Sequence, residues 1–203
     1  FHPQFDRIQN IIKSNILGKI NYAHSMFSFP IQPARFYRIN RSIKNGGGAL
    51  WDIGPYAIHT IRNCFKENPV QVYAQSKLNE QGADVSTTGM IGFGGHKRAT
   101  FDISFECTRR SEFEAFGPLG RVKCPTVWQP EDKQAKIIIN TENGGLTEEV
   151  VPAANHFILE VNHFNKIISS DISPKLTNED ALWNARTLES IQQSIKTDSW
   201  VNL

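Results

Sequence analysis

Asp52, Tyr56, His59 and Asn63 follow one another at steps of four, three and four in the stretch NGGGALWDIGPYAIHTIRNCF, residues 45–65. At 3.6 residues per turn this spacing sets a carboxylate, a phenol, an imidazole and a carboxamide along one side of a helix. Leu50, Gly54, Ala57, Ile61 and Cys64 fall on the opposite side. The far side of an amphipathic helix is usually solvated and favours Lys, Glu and Gln. A phenol and an imidazole in line can instead exchange protons with a ligand, and a short carboxylate can orient it. The residue types leave both a solvent face and a functional face open. Pro55 denies the Trp51 carbonyl its helical partner, so a kink is expected beside the stripe. Arg35 and Arg38, in the loop before the glycines, could orient a hydroxylated or anionic ligand.

Other chemistries are less well supported. Gly46, Gly47 and Gly48 lack the GK[ST] ending of a phosphate loop, and the preceding INRSIK is no buried strand, so a nucleotide fingerprint is absent. Close backbone packing at a helix start is the better use for three glycines. His156, Glu160 and His163 share a face of a later helix, but the two imidazoles lie about 10 Å apart along its axis, too far for one ion. They are read as surface or rim residues, and no metal is expected. No G-x-S-x-G elbow occurs, and no cysteine has a histidine in a recognisable nucleophile context.

These side chains need elements to hold them. HPQFDRIQNIIKSNILG reads as a helix with Pro3 in its first turn, Gly18 as its stop and Ile8, Ile11, Ile12 and Ile16 on its apolar face. KINYAHSMFSFP alternates like a strand ending at Pro30. After Pro69 come short β-type runs, VQVYAQSK, VSTTGMIGF, RATFDISFEC, SEFEAFG, RVKCP and KIIIN, with GGHK as a hairpin turn between the second and third. Ala99, Phe101, Ile103 and Phe105 should face one way, and Thr100, Asp102, Ser104 and Glu106 the other. Two helices follow. ANHFILEVNHFNKIISSD carries an apolar stripe of Phe157, Val161, Phe164 and Ile168, and Thr177 with Asp180 has capping-box spacing ahead of the second helix. SWVNL reads as a return strand. The expected class is α+β: an open-faced, largely antiparallel sheet with helices on one face.

The 203 residues suffice for one core, and 22 Lys and Arg against 20 Asp and Glu give a net charge of +2. Nothing in that balance suggests nucleic acid. No apolar run approaches the ~18 residues of a membrane span. Cys64, Cys107 and Cys124 are odd in number and show no CxxC spacing, which points to reduced thiols, mostly buried, and a cytoplasmic location.

GGGALWDIGPYAIHTIR resembles the Gfo/Idh/MocA family of NAD(P)-dependent oxidoreductases, above all the branch of glucose-fructose oxidoreductase, dihydrodiol dehydrogenase and D-xylose dehydrogenases. Gly46, Gly47, Gly48, Leu50, Asp52, Gly54 and Tyr56 fill the family pattern G-G-G-x-L-x-D-x-G-x-[HY] in register. FHPQFDRIQNIIKSNILGKI is similar to the family's segment after the domain junction, FGPLGRVKCP to its strand turn, and EDALWNARTLESIQQSIKTDSWVNL to its closing helix and strand. The resemblance implies that residues 1–203 are a C-terminal substrate-binding and dimerisation domain. The Rossmann domain, with its nicotinamide site and a catalytic lysine, would lie outside this chain. It further implies NAD or NADP as cofactor, a sugar or diol as substrate, and a homodimer formed through the open sheet face, with Thr100, Asp102, Ser104 and Glu106 or their neighbours packed together. An isolated fragment of this kind should be inactive and should bind neither cofactor appreciably.

Residue by residue, Tyr56 falls where this branch has its proton-relay tyrosine. A free phenol ionises near pH 10, so the lysine of the absent half would be needed to favour its ionised form. Asp52 falls on the family's aspartate and is read as substrate-binding, together with Arg38, which resembles the arginine before the glycines. His59 stands where the family usually has Asn or Asp, and is read as substrate-binding too. His2 matches the FHP histidine near the cofactor. A non-catalytic ligand-binding or scaffold module related to this domain is the alternative.

Overall fold

The computed structural model describes residues 1–128, 130, 133–170 and 172–203. The first helix, α1 (Pro3–Lys13), starts where expected, with Pro3 in its first turn. It stops earlier than Gly18, because Ser14 caps it and Asn15 takes a left-handed φ of 60°. The first strand, β1 (Tyr22–Ser28), buries Ala23, Ser25 and Phe27. Two short 3-10 helices, Pro33–Arg38 and Ile43–Asn45, fill the polar connection to the glycines.

The helix beyond the glycines is broken. A four-residue turn, α2 (Ala49–Asp52), is followed by α3 (Gly54–Phe65), and Ile53 between them has φ −118°. Pro55 sits in the first turn of α3, where its missing N–H costs nothing. The proline therefore starts a second helix instead of bending one. Gly54 lets α3 approach closely, since a Cβ there would lie 3.3 Å from Leu50 and Leu188 side-chain atoms and 3.4 Å from Ile103.

The remaining strands are β2 (Gln71–Leu78), β3 (Asp84–Gly92), β4 (Arg98–Ser104), β5 (Arg110–Gly117), β6 (Gly120–Cys124), β7 (Ala135–Thr141), β8 (Gly145–Val151) and β9 (Val201–Asn202). They form one nine-stranded sheet in the order β8-β7-β6-β5-β1-β4-β3-β2-β9. Every pairing is antiparallel except β1 with β4, which run parallel from Tyr22↔Arg98 to Ser28↔Ser104. The expected α+β class holds. The strand absent from the sequence reading is β8, whose residues are exposed except at Glu149 and Val151 and so show little buried alternation. Ala99, Phe101, Ile103 and Phe105 all enter the core under α2 and α3.

The last two helices are α4 (His156–Ser170) and α5 (Asn178–Thr197), and Thr177 Oγ1 caps α5 by accepting from the Asp180 amide at 3.1 Å. The expected end of the α4 segment, Asp171, lies outside the described residues. The stripe of Phe157, Val161, Phe164 and Ile168 is 57–70% exposed, so within this chain it is an outer face and not part of the core. On the open side of the sheet, Thr100 and Asp102 are half-buried, and Asp102 pairs with Arg110 and accepts from Thr88. Ser104 departs from expectation: it is fully buried at the strand end and bonded to the Glu106 amide. Glu106 lies beyond β4 and pairs with Lys77. Cys64 and Cys124 are buried and Cys107 is exposed, all with free thiols. Burial pushes the Cys64 thiol up to about 12. Among the described residues no helix is long and apolar enough to cross a membrane.

The glycine turn is packed against a buried acid. The amides of Gly46, Gly47 and Gly48 donate to the carbonyls of Ile43, Ser42 and Arg38. Gly48 has φ +100°, and a Cβ there would sit 1.8 Å from Asp84 Oδ1. The other oxygen, Oδ2, accepts from the Leu50 amide and from Thr87 Oγ1, each at 2.8 Å. Burial raises the Asp84 carboxyl from 3.8 to about 7, against the opposing pull of those bonds. An acid with a raised folded value binds its proton more tightly folded than unfolded. Its contribution to stability is therefore largest below about pH 4 and declines as pH climbs to about 7. Asp84→Asn keeps a carbonyl acceptor and does not titrate. The unfolding free energy of the wild type, measured against that of the variant, should fall between pH 4 and 7 by up to about 4 kcal/mol, at ~1.4 kcal/mol per pH unit. A difference that stays flat over that range contradicts this account of Asp84.

Candidate functional site

A cavity of about 170 Å³ opens where the N-terminal side of α1 meets α3, the segment after β6 and the start of α4. Phe1 and His2 line it from just ahead of α1, Phe5 from α1, Tyr56, His59 and Thr60 from α3, and Val127, Trp128 and Pro130 from the connecting segment. His156, Lys175 and Leu176 complete the wall.

Aromatic packing fixes the α3 side. Phe27, fully buried on β1, meets the Tyr56 ring edge-on at 5.6 Å and stacks on Trp128 at 5.0 Å. Trp128 Nε1 donates to Thr60 Oγ1 at 3.1 Å, and Thr60 Oγ1 donates to the Tyr56 carbonyl at 2.9 Å. The Tyr56 ring is held in this way while 43% of the residue stays exposed. Among the described residues its hydroxyl has no hydrogen-bond partner. His59 stacks on Phe5 at 5.8 Å. Burial holds its imidazole below the usual histidine range, with Arg62 pushing the same way and Asp180 pulling back.

His2 is 5% exposed. Its Nδ1 accepts the Gln4 amide at 3.2 Å and so caps α1, which leaves the proton of the neutral ring on Nε2. That Nε2 is buried and finds no partner among the described residues. Burial, His156 and the N-terminal amine all depress its pKa, so the ring is neutral near pH 7. Gln4 ties α1 to the opposite wall by donating to the Thr126 and Val127 carbonyls.

The structure thus brings three of the five sequence-derived residues, Tyr56, His59 and His2, to one cavity. Asp52 and Arg38 are not among its lining residues. They form an ion pair with each other beside α2, because the break at Ile53 turns Asp52 out of the Tyr56–His59 line. Asn63, the fourth residue of the stripe, turns to Asp180 instead. His156 lines the cavity, while His163 Nε2 accepts from the Lys175 amide at 3.0 Å. No group of three His, Cys, Asp or Glu among the described residues could hold a metal ion. Sequence reasoning missed Phe5, Trp128 and Lys175. Only the folded chain brings their segments together, and each taken alone resembles ordinary packing or surface.

Residues 5–123 match the model of the GFO/IDH/MocA C-terminal domain. An uncharacterized oxidoreductase of Rhizobium meliloti is 28% identical over 98% of this chain and 61% of its own length. A D-xylose 1-dehydrogenase (NADP(+)) of Haloferax volcanii is 24% identical over 100% of this chain and 62% of its own. A trans-1,2-dihydrobenzene-1,2-diol dehydrogenase of Xenopus tropicalis is 26% identical over 69% and 41%. Among solved structures, the aldose-aldose oxidoreductase from Caulobacter crescentus, complexed with glycerol, superposes with a TM-score of 0.85 at 20% identity, over 100% of this chain and 61% of that one. KijD10, a 3-ketoreductase from Actinomadura kijaniata in complex with NADP and TDP-benzene, gives 0.85 at 22% identity, over 95% and 59%. At such identities these structures speak for the fold. The chain spans about three-fifths of the length of the first two relatives.

Proposed function

Because the chain belongs to the GFO/IDH/MocA family, as its C-terminal domain, we propose that it is the substrate-binding and dimerising half of an NAD(P)-dependent oxidoreductase acting on a sugar or diol. Xylose and dihydrodiol dehydrogenases among the relatives support that substrate class. The observation that carries the reading is Tyr56, a ring fixed by Phe27 that lines a cavity with His59 and His2 and whose hydroxyl has no partner among the described residues.

The glycine turn does not fit a dinucleotide pyrophosphate, since the amides of Gly46, Gly47 and Gly48 are spent on internal carbonyls. In this reading NAD or NADP is held mainly by a preceding domain, and His2, which lines the cavity, is the residue of this chain that could meet it. The nicotinamide accepts or supplies the hydride. Tyr56 exchanges the accompanying proton with the substrate oxygen, His59 hydrogen-bonds a substrate hydroxyl, and the aromatic walls keep water out. Asp52 and Arg38 act from outside the cavity, their ion pair steadying the turn that leads into α3. The three unpaired cysteines fit a cytoplasmic setting.

Tyr56→Phe keeps the ring and removes the exchangeable proton. In the two-domain protein it should lower kcat by roughly 10²–10⁴-fold with little change in KM for the cofactor. Near-normal turnover by the variant removes Tyr56 from the proton relay. The open sheet face, with its half-buried Thr100, Asp102 and His24, is the proposed dimer surface. Sedimentation at tens of micromolar should give a dimer, and a monomer there contradicts that surface.

A further inference from the structure

Asp180 belongs to the first turn of α5, but its carboxylate is turned toward α3. Oδ1 accepts from Arg62 Nη1 at 3.2 Å, and Oδ2 lies 3.1 Å from His59 Nδ1. The Arg62 side chain is only 5% exposed, and Nη1 also donates to the Asp180 carbonyl at 2.9 Å. Turning the carboxylate away would cost the buried guanidinium its ion-pair partner. Asn63 Nδ2 lies 3.2 and 3.4 Å from the two His59 ring nitrogens, but also 3.0 Å from the His59 carbonyl and 3.4 Å from Asp180 Oδ1. Those two oxygens can take both of its hydrogens, which leaves the ring to Asp180.

A neutral imidazole has one donor and one acceptor nitrogen, and the nitrogen facing a carboxylate must be the donor. The charged groups acting on the ring are Asp180, Arg62 and the N-terminal amine, and burial keeps it neutral near pH 7. Within the substrate-pocket reading above, on which this inference rests, we propose that Asp180 is the positioning residue of the cavity. It holds His59 in the Nδ1–H form, so that Nε2 is a fixed acceptor for a ligand hydroxyl. His2 has the opposite polarity, since the Gln4 amide occupies its Nδ1 and the proton rides on Nε2. The His59 wall thus presents an acceptor, which matches a ligand hydroxyl group.

Nitrogen-15 NMR of the side-chain imidazoles in the 203-residue chain reads the tautomer directly and requires no turnover, so it can fail independently of the Tyr56 test. Above the His59 titration, the wild type should carry the proton on Nδ1. In Asp180→Asn a single oxygen remains for Arg62, the amide nitrogen faces Nδ1, and the proton should move to Nε2. Thr177→Ala removes the cap of α5 but leaves the carboxylate, and should lower stability without moving the proton. A wild-type ring protonated on Nε2, an Asp180→Asn ring unchanged from wild type, or a Thr177→Ala ring that switches would each overturn the proposal.

Discussion

The contact on which the rest of the site depends is the buried carboxyl of Asp84 seated against the backbone of the glycine turn. Oδ2 takes the Leu50 amide, an otherwise unpaired donor at a helix start, while Oδ1 fills the space that a side chain at residue 48 would need. Burying a carboxyl is unfavourable, and the rise of its pKa to about 7 reflects that cost. The return is geometric. The turn cannot shift without opening a polar hole in the core, so α2 begins at one place and in one direction.

From that fixed start the path to the site is short. Ile53 breaks the helix, Pro55 begins α3, and Gly54 brings α3 down onto Leu188 and Ile103. Tyr56 then meets Phe27 of the Phe27–Trp128 stack edge-on, and Phe5 of α1 stacks on His59. The hydrogen-bond polarity of the cavity comes from a second layer: Gln4 sets His2, and Asp180 backed by Arg62 sets His59. Groups that never touch a ligand therefore decide which ring nitrogens donate.

Much of this was legible in the sequence because it rests on local periodicity. The polar line of Tyr56 and His59, the burial of Phe101 and Ile103, and six of the strand runs after Pro69 follow from steps of 3.6 and 2. What stayed hidden depends on distant partners. Asp180 looks like a capping residue, and its amide does take part in a cap, but nothing local says that its carboxylate reaches His59. Asp52 shares the helical spacing of Tyr56 and still leaves the line, because a break at Ile53 changes the phase. The stripe on α4 has core-like spacing yet is exposed, since periodicity marks an apolar face without saying what covers it. β8 carries too little buried alternation to be seen at all.

The central claim is that Gly48 is there for packing on Asp84 and that this packing aims α3. Hydrogen exchange of Gly48→Ala measured beside Gly46→Ala tests it most directly. Residue 46 also has a positive φ, of +75°, but a Cβ there meets nothing within 4 Å, so it controls for backbone strain alone. The account predicts that Gly48→Ala loses protection at the Leu50 amide and through the first turns of α3, whereas Gly46→Ala keeps it. Equal protection in the two variants would contradict the account.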